Sequence, residues 1–173
     1  MNLIITQPQS CDVSQIISLY TKTWLDTYPN TKHGISFDDI KDKTDKMSQP
    51  DKVKKFRENL SNRSNNLKSF FRVAKVGDKI LGVCGAVEED GFIHLASLYV
   101  LPDEQKRGVG AALMNEFLNW ARNRPIKLHV VTYNQKAITF YEKWGFKDTG
   151  KRFTEDRYKM KSGNYLPEME MQR

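Results

Sequence analysis

Val13, Ile16, Ile17, Tyr20 and Trp24 fall three or four positions apart, the spacing that gives one face of a helix a continuous apolar stripe. A short strand over residues 3–6 is expected before it, and Asp12 or Ser10 is placed to cap the helix. Residues 26–30 read as a loop. Ser36 has Asp39 at capping-box distance and opens a second helix, Pro50 starts a third, and the polar stretch 61–66 reads as a surface connection. From Lys68 the pattern changes. Residues 70–76, 80–87 and 92–101 are three β-rich runs separated by Gly77-Asp78 and Asp90-Gly91, pairs suited to tight hairpins, so an antiparallel meander is expected. Helical spacing returns over residues 108–124, with Val109, Leu113, Phe117 and Trp120 near one face, and Pro125 excludes continuation. A strand over 128–132, a helix over 134–144 stopped by Gly145, and two runs over 146–152 and 165–171 that suit a final hairpin complete the chain. Strand, helix, strand, helix in this order implies one parallel pair with a crossover.

The junction between the third β-run and its helix, residues 98–113 (LYVLPDEQKRGVGAAL), carries the chemistry. Leu98, Tyr99, Val100 and Leu101 form a strand that Pro102 and Asp103 end. Gln105, Lys106, Arg107, Gly108, Val109, Gly110 and Ala111 then bring two glycines to the first helical turn, where N–H groups lack intrahelical partners. Glycine allows close approach of an anion, the helix dipole favours it, and Lys106 and Arg107 add positive charge. A pyrophosphate suits this turn. The stretch lacks the Gly-Lys-Ser/Thr ending of a P-loop and the third glycine of a dinucleotide fingerprint.

Gln105-x-x-Gly108-x-Gly110 behind this strand resembles the coenzyme A loop of the GNAT acetyltransferase superfamily. Asn134-x-x-Ala137-x-x-x-Tyr141-x-x-x-Gly145-Phe146 resembles its second signature, in the usual order and distance. The resemblance covers residues 68–172 and implies an α/β (α+β) fold, a mixed, mostly antiparallel sheet of six to seven strands flanked by helices. It implies one domain over residues 1–173, with an acceptor-side strand and helices in 1–67 and an acetyl-CoA-binding core in 68–172. Within the resemblance, main-chain groups of Leu98, Tyr99 and Val100 face the thioester, and Gln105, Lys106, Arg107, Gly108, Val109, Gly110 and Ala111 cradle the pyrophosphate. Asn134 and Ala137 belong to the coenzyme side, and Tyr141 protonates the departing thiolate. Packing with Phe140 and Trp144 is an alternative role for Tyr141, and an N-cap for Asn134.

His94, where many relatives carry a glutamate, is a candidate base, its imidazole titrating at about 6.5 when unperturbed; His129 and His33 rank below it. Asp26 and Tyr28 are candidates for acceptor recognition, while Glu88, Glu89 and Asp90 read as a charged turn. The implied activity is transfer of acetyl from acetyl-CoA, as co-substrate, to a primary amine of a small molecule, polyamine-like or similar, or of a peptide. The alternative is a coenzyme-A-binding sensor or regulatory module without turnover.

Composition changes this picture little. At 173 residues the chain has the size of one ordinary domain. Its two cysteines, Cys11 and Cys84, lack the spacing of a zinc or CxxC site, so no metal is implied and a reducing, cytoplasmic setting is expected. No targeting segment is read, and no apolar run approaches the ~20 residues of a membrane span. The net charge of +7 fits capture of a polyanionic coenzyme and also permits nucleic acid. Lys52, Lys54, Lys55, Arg57, Arg63 and Lys68 gather in one stretch, but no aromatics interleave them, and a solvated helix face is the weightier reading. A homodimer is left open.

Overall fold

The structure, a computed structural model, describes residues 2–64 and 66–173, with residues 61–64 described by backbone alone. A seven-stranded sheet organises it, in the order β1-β2-β3-β4-β5-β7-β6: β1 (Ile4–Thr6), β2 (Ser69–Val76), β3 (Lys79–Glu89), β4 (Phe92–Val100), β5 (Ile126–Val131), β6 (Lys147–Phe153) and β7 (Glu168–Gln172). All neighbours pair antiparallel except β4 and β5. The sheet is therefore mixed and mostly antiparallel, as expected. The hairpins around Gly77 and Gly91 have these glycines at φ +56° and +81°, a region that costs glycine nothing. The last two strands pair with each other, and β7 also inserts beside β5, a neighbour that strand propensity does not select.

Both faces of the sheet are covered, and the residues alternate accordingly. On β2, Phe70 and Ala74 join one core with α4 (Val109–Ala121) and α5 (Gln135–Lys143), where Leu113, Phe117 and Phe146 are fully enclosed. Phe71 and Val73 face the other way, against Val13, Ile16 and Leu19 of α1 (Val13–Thr27) and Leu60 of α3 (Pro50–Ser64). A third cluster joins Trp24 and Tyr28 at the end of α1 to Ile40 of α2 (Phe37–Met47), Val131 of β5, and Met160 and Leu166 of the β6–β7 connection.

Several boundaries differ from the sequence reading. Helix α1 continues through Thr27, so Asp26 lies in its last turn and Tyr28 is its C-cap. Asp12 does not cap α1 with its side chain, because one carboxylate oxygen accepts from Gln9 N at 2.8 Å and the other pairs with Lys75 at 2.7 Å. Helix α3 extends to Ser64, replacing most of the expected connection, while Asn65 and the Arg63 side chain lie outside the described residues. Helix α4 ends at Ala121, before Pro125, because Arg122 turns to φ +55°. The capping box at Ser36 is present, with Asp39 N donating to Ser36 Oγ at 3.0 Å and Ser36 N to Asp39 Oδ2 at 3.0 Å. Among the described residues no helix is long and apolar enough to cross a membrane, and no group of three metal-ligating side chains gathers.

Candidate functional site

Strands β4 and β5 pair only at Ile93↔Ile126, His94↔Lys127 and Leu95↔Leu128. On its other edge β4 stays paired to β3 as far as Val100, with one extra residue, Ala96, between the partners of Gly85 and Ala86. Such a bulge bends its strand and breaks the ladder locally. Beyond it β4 follows β3 and leaves β5, so the edge of β4 over residues 97–100 has no strand partner on the β5 side among the described residues. Leu98 and Val100 pack toward α4 and α5, and Tyr99 toward α1. The side chains are thus core, while main-chain groups are left at the split.

Helix α4 begins beside the end of β4. Lys106 at φ +60° and Gly108 at φ +86° turn the chain from the short turn Pro102–Glu104 into the helix. The first bond of the helix runs from Ala112 N to Gly108 O at 2.9 Å, so the N–H groups of Val109, Gly110 and Ala111 point out of the turn without a partner among the described residues. A Cβ on Gly108 would meet nothing within 4 Å; one on Gly110 would meet Val100 and the Phe140 ring at 3.6 Å. Backbone donors, open space and positive charge coincide there, which fits the diphosphate of coenzyme A. Gln105 ties the turn to β4 through its Nε2, which donates to Val100 O at 3.3 Å. Arg107 pairs with Glu104 at 2.9 Å, and Lys79 also reaches that carboxylate at 2.9 Å. Its guanidinium is therefore partly committed within the protein.

Asn134 caps α5, its Oδ1 accepting from Ala137 N at 3.2 Å, so the structural role considered for it is realised. Seven residues on, Tyr141 sits on the same face, its ring packed against Phe140 and Phe146 at 5.6 and 5.7 Å. The ring is core. The hydroxyl has no hydrogen-bond partner among the described residues and is not sealed in. Burial raises its pKa, with Tyr99 and Cys84 adding to the effect. Cys84 stands opposite Leu98 on β3, so the free phenol lies beside the split.

On the opposite face of the sheet an aromatic wall surrounds the same split. Tyr28 Oη lies 3.2 Å from Tyr99 Oη, and Tyr133 Oη donates to Tyr28 O at 2.7 Å. Trp24 meets Tyr28 edge-on at 5.2 Å and Tyr158 at 5.9 Å, and Tyr20 meets Tyr99 at 5.3 Å. Burial pushes Tyr28 and Tyr99 well up, and Tyr133 up to about 12, so all stay neutral donors at physiological pH. Tyr28 is thus brought to the site. Asp26 makes no hydrogen bond or ion pair among the described residues.

His94 stands before the bulge, five residues from Tyr99, roughly 15 Å of strand. Its Nδ1 is 3.4 Å from Glu89 Oε1, and its ring is 4.9 Å from His129. His129 in turn meets Glu155 at 3.2 Å, while burial and the neighbouring His94 lower its pKa. His33 stacks on Tyr133 at 4.7 Å. Glu88 pairs with Arg124 at 2.7 Å, so it is not merely a solvated turn residue. On α3, Lys52, Lys54, Lys55 and Arg57 are exposed.

Sequence reading missed Glu168. It begins β7 opposite Val131, is 4% exposed, and its Oε2 is closed to solvent with no hydrogen-bond partner among the described residues. Burial, reinforced by Glu155 and opposed by Arg157, raises its pKa to about 7. The alternation Glu168, Met169, Glu170, Met171 places both glutamates on one face of a strand. It was the available signal, but it does not say that the acidic face is enclosed.

Residues 18–146 match the Acetyltransferase (GNAT) family. Human N-acetyltransferase 8 is 30% identical over 94 residues, 49% of this chain and 41% of that protein. The chain spans less than half the length of the curated relatives it matches. In fold it is similar to the PaiA N-acetyltransferase of Thermoplasma acidophilum, solved in complex with coenzyme A, at TM-score 0.75 and 20% identity over 98% of both chains. A spermidine N-acetyltransferase SpeG chimera from Vibrio cholerae and hSSAT is similar at TM-score 0.67 and 18% identity, over 99% of this chain and 95% of that chain. At these identities the likeness is one of fold.

Proposed function

The chain belongs to the acetyltransferase (GNAT) family, and from that premise we propose that it transfers acetyl from acetyl-CoA to a primary amine of a small molecule or peptide. The observation that carries this reading is the convergence at one split in the sheet. The open N-terminus of α4 lies against Val100 of β4 and Phe140 of α5, the neighbour of Tyr141, and the edge of β4 is without a strand partner there.

The geometry supports the following roles. Gly108, Val109, Gly110 and Ala111 present backbone N–H groups and space to the coenzyme diphosphate, with Gln105 holding the turn to β4 and Lys106 and Arg107 adding charge. Asn134 and Ala137 form the start of the helix that carries Tyr141. Main-chain donors on β4 over Leu98, Tyr99 and Val100 polarise the thioester carbonyl and hold the charge that develops on its oxygen as the amine attacks. Tyr141 donates its proton to the departing sulfur; a phenol kept neutral by burial is suited to donating. Tyr28 and the aromatic wall border the acceptor, with Asp26 at the same end of α1. His94, His129 and Glu168 stand on the acceptor face as groups able to take the amine proton.

A silent coenzyme-binding module is the competing reading, and the unpartnered Tyr141 hydroxyl weighs against it. Two cysteines with free thiols suit the reducing cytoplasm as the setting. The test is release of coenzyme A thiol from acetyl-CoA with polyamines, aminoglycosides, amino acids and short peptides as acceptors. Tight coenzyme binding without thiol release across that panel would favour the silent module.

A further inference from the structure

Two buried polar groups border the aromatic wall without partners among the described residues: Trp24 Nε1 and Glu168 Oε2. A buried donor or acceptor left without a partner is costly, so an orphan pair needs a reason. Glu168 differs from the other acids nearby. Glu155 is held by Arg157, whose Nε is in close contact and whose second nitrogen donates at 3.1 Å, and by His129. Glu170 is met by Lys151 at 3.2 Å and Lys127 at 3.9 Å. No cation among the described residues is within salt-bridge distance of Glu168.

The surroundings of Glu168 say what is missing. Glu168 stands opposite Val131 on β5, and Val131 packs in the cluster of Trp24, Tyr28 and Tyr158, so the glutamate lies on the sheet face that carries the aromatic wall. Tyr158 interacts with both Glu168 and Glu155, and Trp24 packs on Tyr158. Aromatic faces and an unpaired carboxylate are the two features that receive an alkylammonium, the first through the ring quadrupole and the second through charge-assisted hydrogen bonds.

Resting on the transferase reading, we propose that Glu168 is the acceptor-side carboxylate: it binds the protonated head of an alkyl primary amine between Tyr28 and Tyr158 and removes one of its protons. The neutral amine then forms its bond to the acetyl carbon while the electron pair of the carbon–sulfur bond leaves with sulfur. Tyr141 gives sulfur its proton and recovers one from the acetylated nitrogen, and Glu168 releases the first proton to water. One ammonium and one thioester thus become one amide, one thiol and one proton. A carboxylate titrating near neutrality can hold an ammonium and still give up the proton afterwards. The charged and titratable groups around it are Tyr28 at the end of α1, Glu155, Arg157 and Tyr158 on the β6–β7 connection, and His129 and Glu170 on β5 and β7.

The experiment compares the full chain with Glu168→Gln and Glu168→Asp. The glutamine keeps the volume and removes the charge. With 1,5-diaminopentane as acceptor, Glu168→Gln is expected to lower kcat/KM at least about 100-fold and to remove the acidic limb of its pH profile. With 2,2,2-trifluoroethylamine, which is largely unprotonated at neutral pH, the loss is expected to be several times smaller. Glu168→Asp should retain the acidic limb. Calorimetry of 1,5-diaminopentane provides the arm that does not depend on turnover, with affinity falling roughly tenfold or more in Glu168→Gln. If the wild type releases no thiol with any amine yet binds the diamine through Glu168, the transfer reading fails and the ammonium site stands. Equal penalties for the two amines would remove the base role. An unchanged kcat/KM and diamine affinity in folded Glu168→Gln, or no diamine binding by the wild type, would overturn the proposal.

Discussion

Tyr141 has a packing role and a proposed catalytic one, and a single substitution can separate them. Its ring packs between Phe140 and Phe146, and its hydroxyl makes no hydrogen bond within the described protein. Tyr141→Phe keeps the ring volume, so the fold should be retained and the melting temperature nearly unchanged. If the phenol protonates sulfur, the single-turnover rate should fall about 10²–10⁴-fold with little change in acetyl-CoA affinity. A wild-type single-turnover rate in the folded variant would remove that role, and pre-steady-state thiol release is the measurement that reads it. Glu168 bears on stability as well as on the chemistry proposed for it. Its carboxyl, raised to about 7 in the folded chain against 4.5 when unfolded, binds more protons folded than unfolded between those two values. Stability from this group therefore falls as pH rises from about 4.5 to about 7 and stays low above. Glu168→Gln should be more stable than wild type at pH 8, on the order of 2 kcal/mol, with the difference closing toward pH 4.5 in thermal melts.

At the scale of elements, the start of α4 is where backbone geometry and binding meet, and its two glycines are not equivalent. Gly108 needs its left-handed φ, so a valine there is strained with or without ligand. Gly110 has an ordinary φ and room for one carbon beside Val100 and Phe140. Gly110→Val is the cleaner probe of the cradle. It is expected to weaken acetyl-CoA binding roughly tenfold or more, about 1.4 kcal/mol, without loss of helical signal. Calorimetry with circular dichroism checks both halves, and unchanged affinity in a folded variant would place the diphosphate elsewhere. Arg107→Ala should weaken binding less, because its guanidinium is exposed and shared with Glu104.

The whole molecule is tied together by a few contacts between distant segments, and Asp39 makes one of them. One of its oxygens accepts from Ser36 N and Oγ within the capping box, and the other from Ser162 N at 3.0 Å, fastening α2 to the β6–β7 connection. Burial acts to raise its pKa, but these donors outweigh burial and hold it at about 2. The stability it contributes is present above about pH 4, where the unfolded group is also ionised, and is lost as pH falls toward 2. Ser36→Ala, which removes only the cap, should cost about 1 kcal/mol. Asp39→Asn should cost about 2 kcal/mol at pH 7 and progressively less below pH 4, as read by urea unfolding at several pH values. A cost independent of pH would mean that shape rather than charge holds the connection.

The amino-acid sequence alone determined what depends on near neighbours in the chain. The capping box at Ser36 and Asp39, the Gly77 and Gly91 hairpins, the amphipathic faces of α1 and α4, and the Gly108-x-Gly110 turn are all local. Hydrogen bonding and φ preference over four or five residues are enough to specify them. The proposed coenzyme side of the site was legible for that reason, since its donors are backbone groups at one helix start. The proposed acceptor side was not. Glu168 reads as an ordinary strand glutamate until β7 is inserted between β5 and β6, which sets it opposite Val131, a member of the cluster that holds Tyr28, 140 residues away in sequence. The split between β4 and β5 likewise comes from a one-residue bulge in a pairing whose register no single strand specifies. Burial, and the pKa it sets, is a property of what packs around a group, so only the tertiary structure could separate Glu168 from the solvated glutamates elsewhere in the chain.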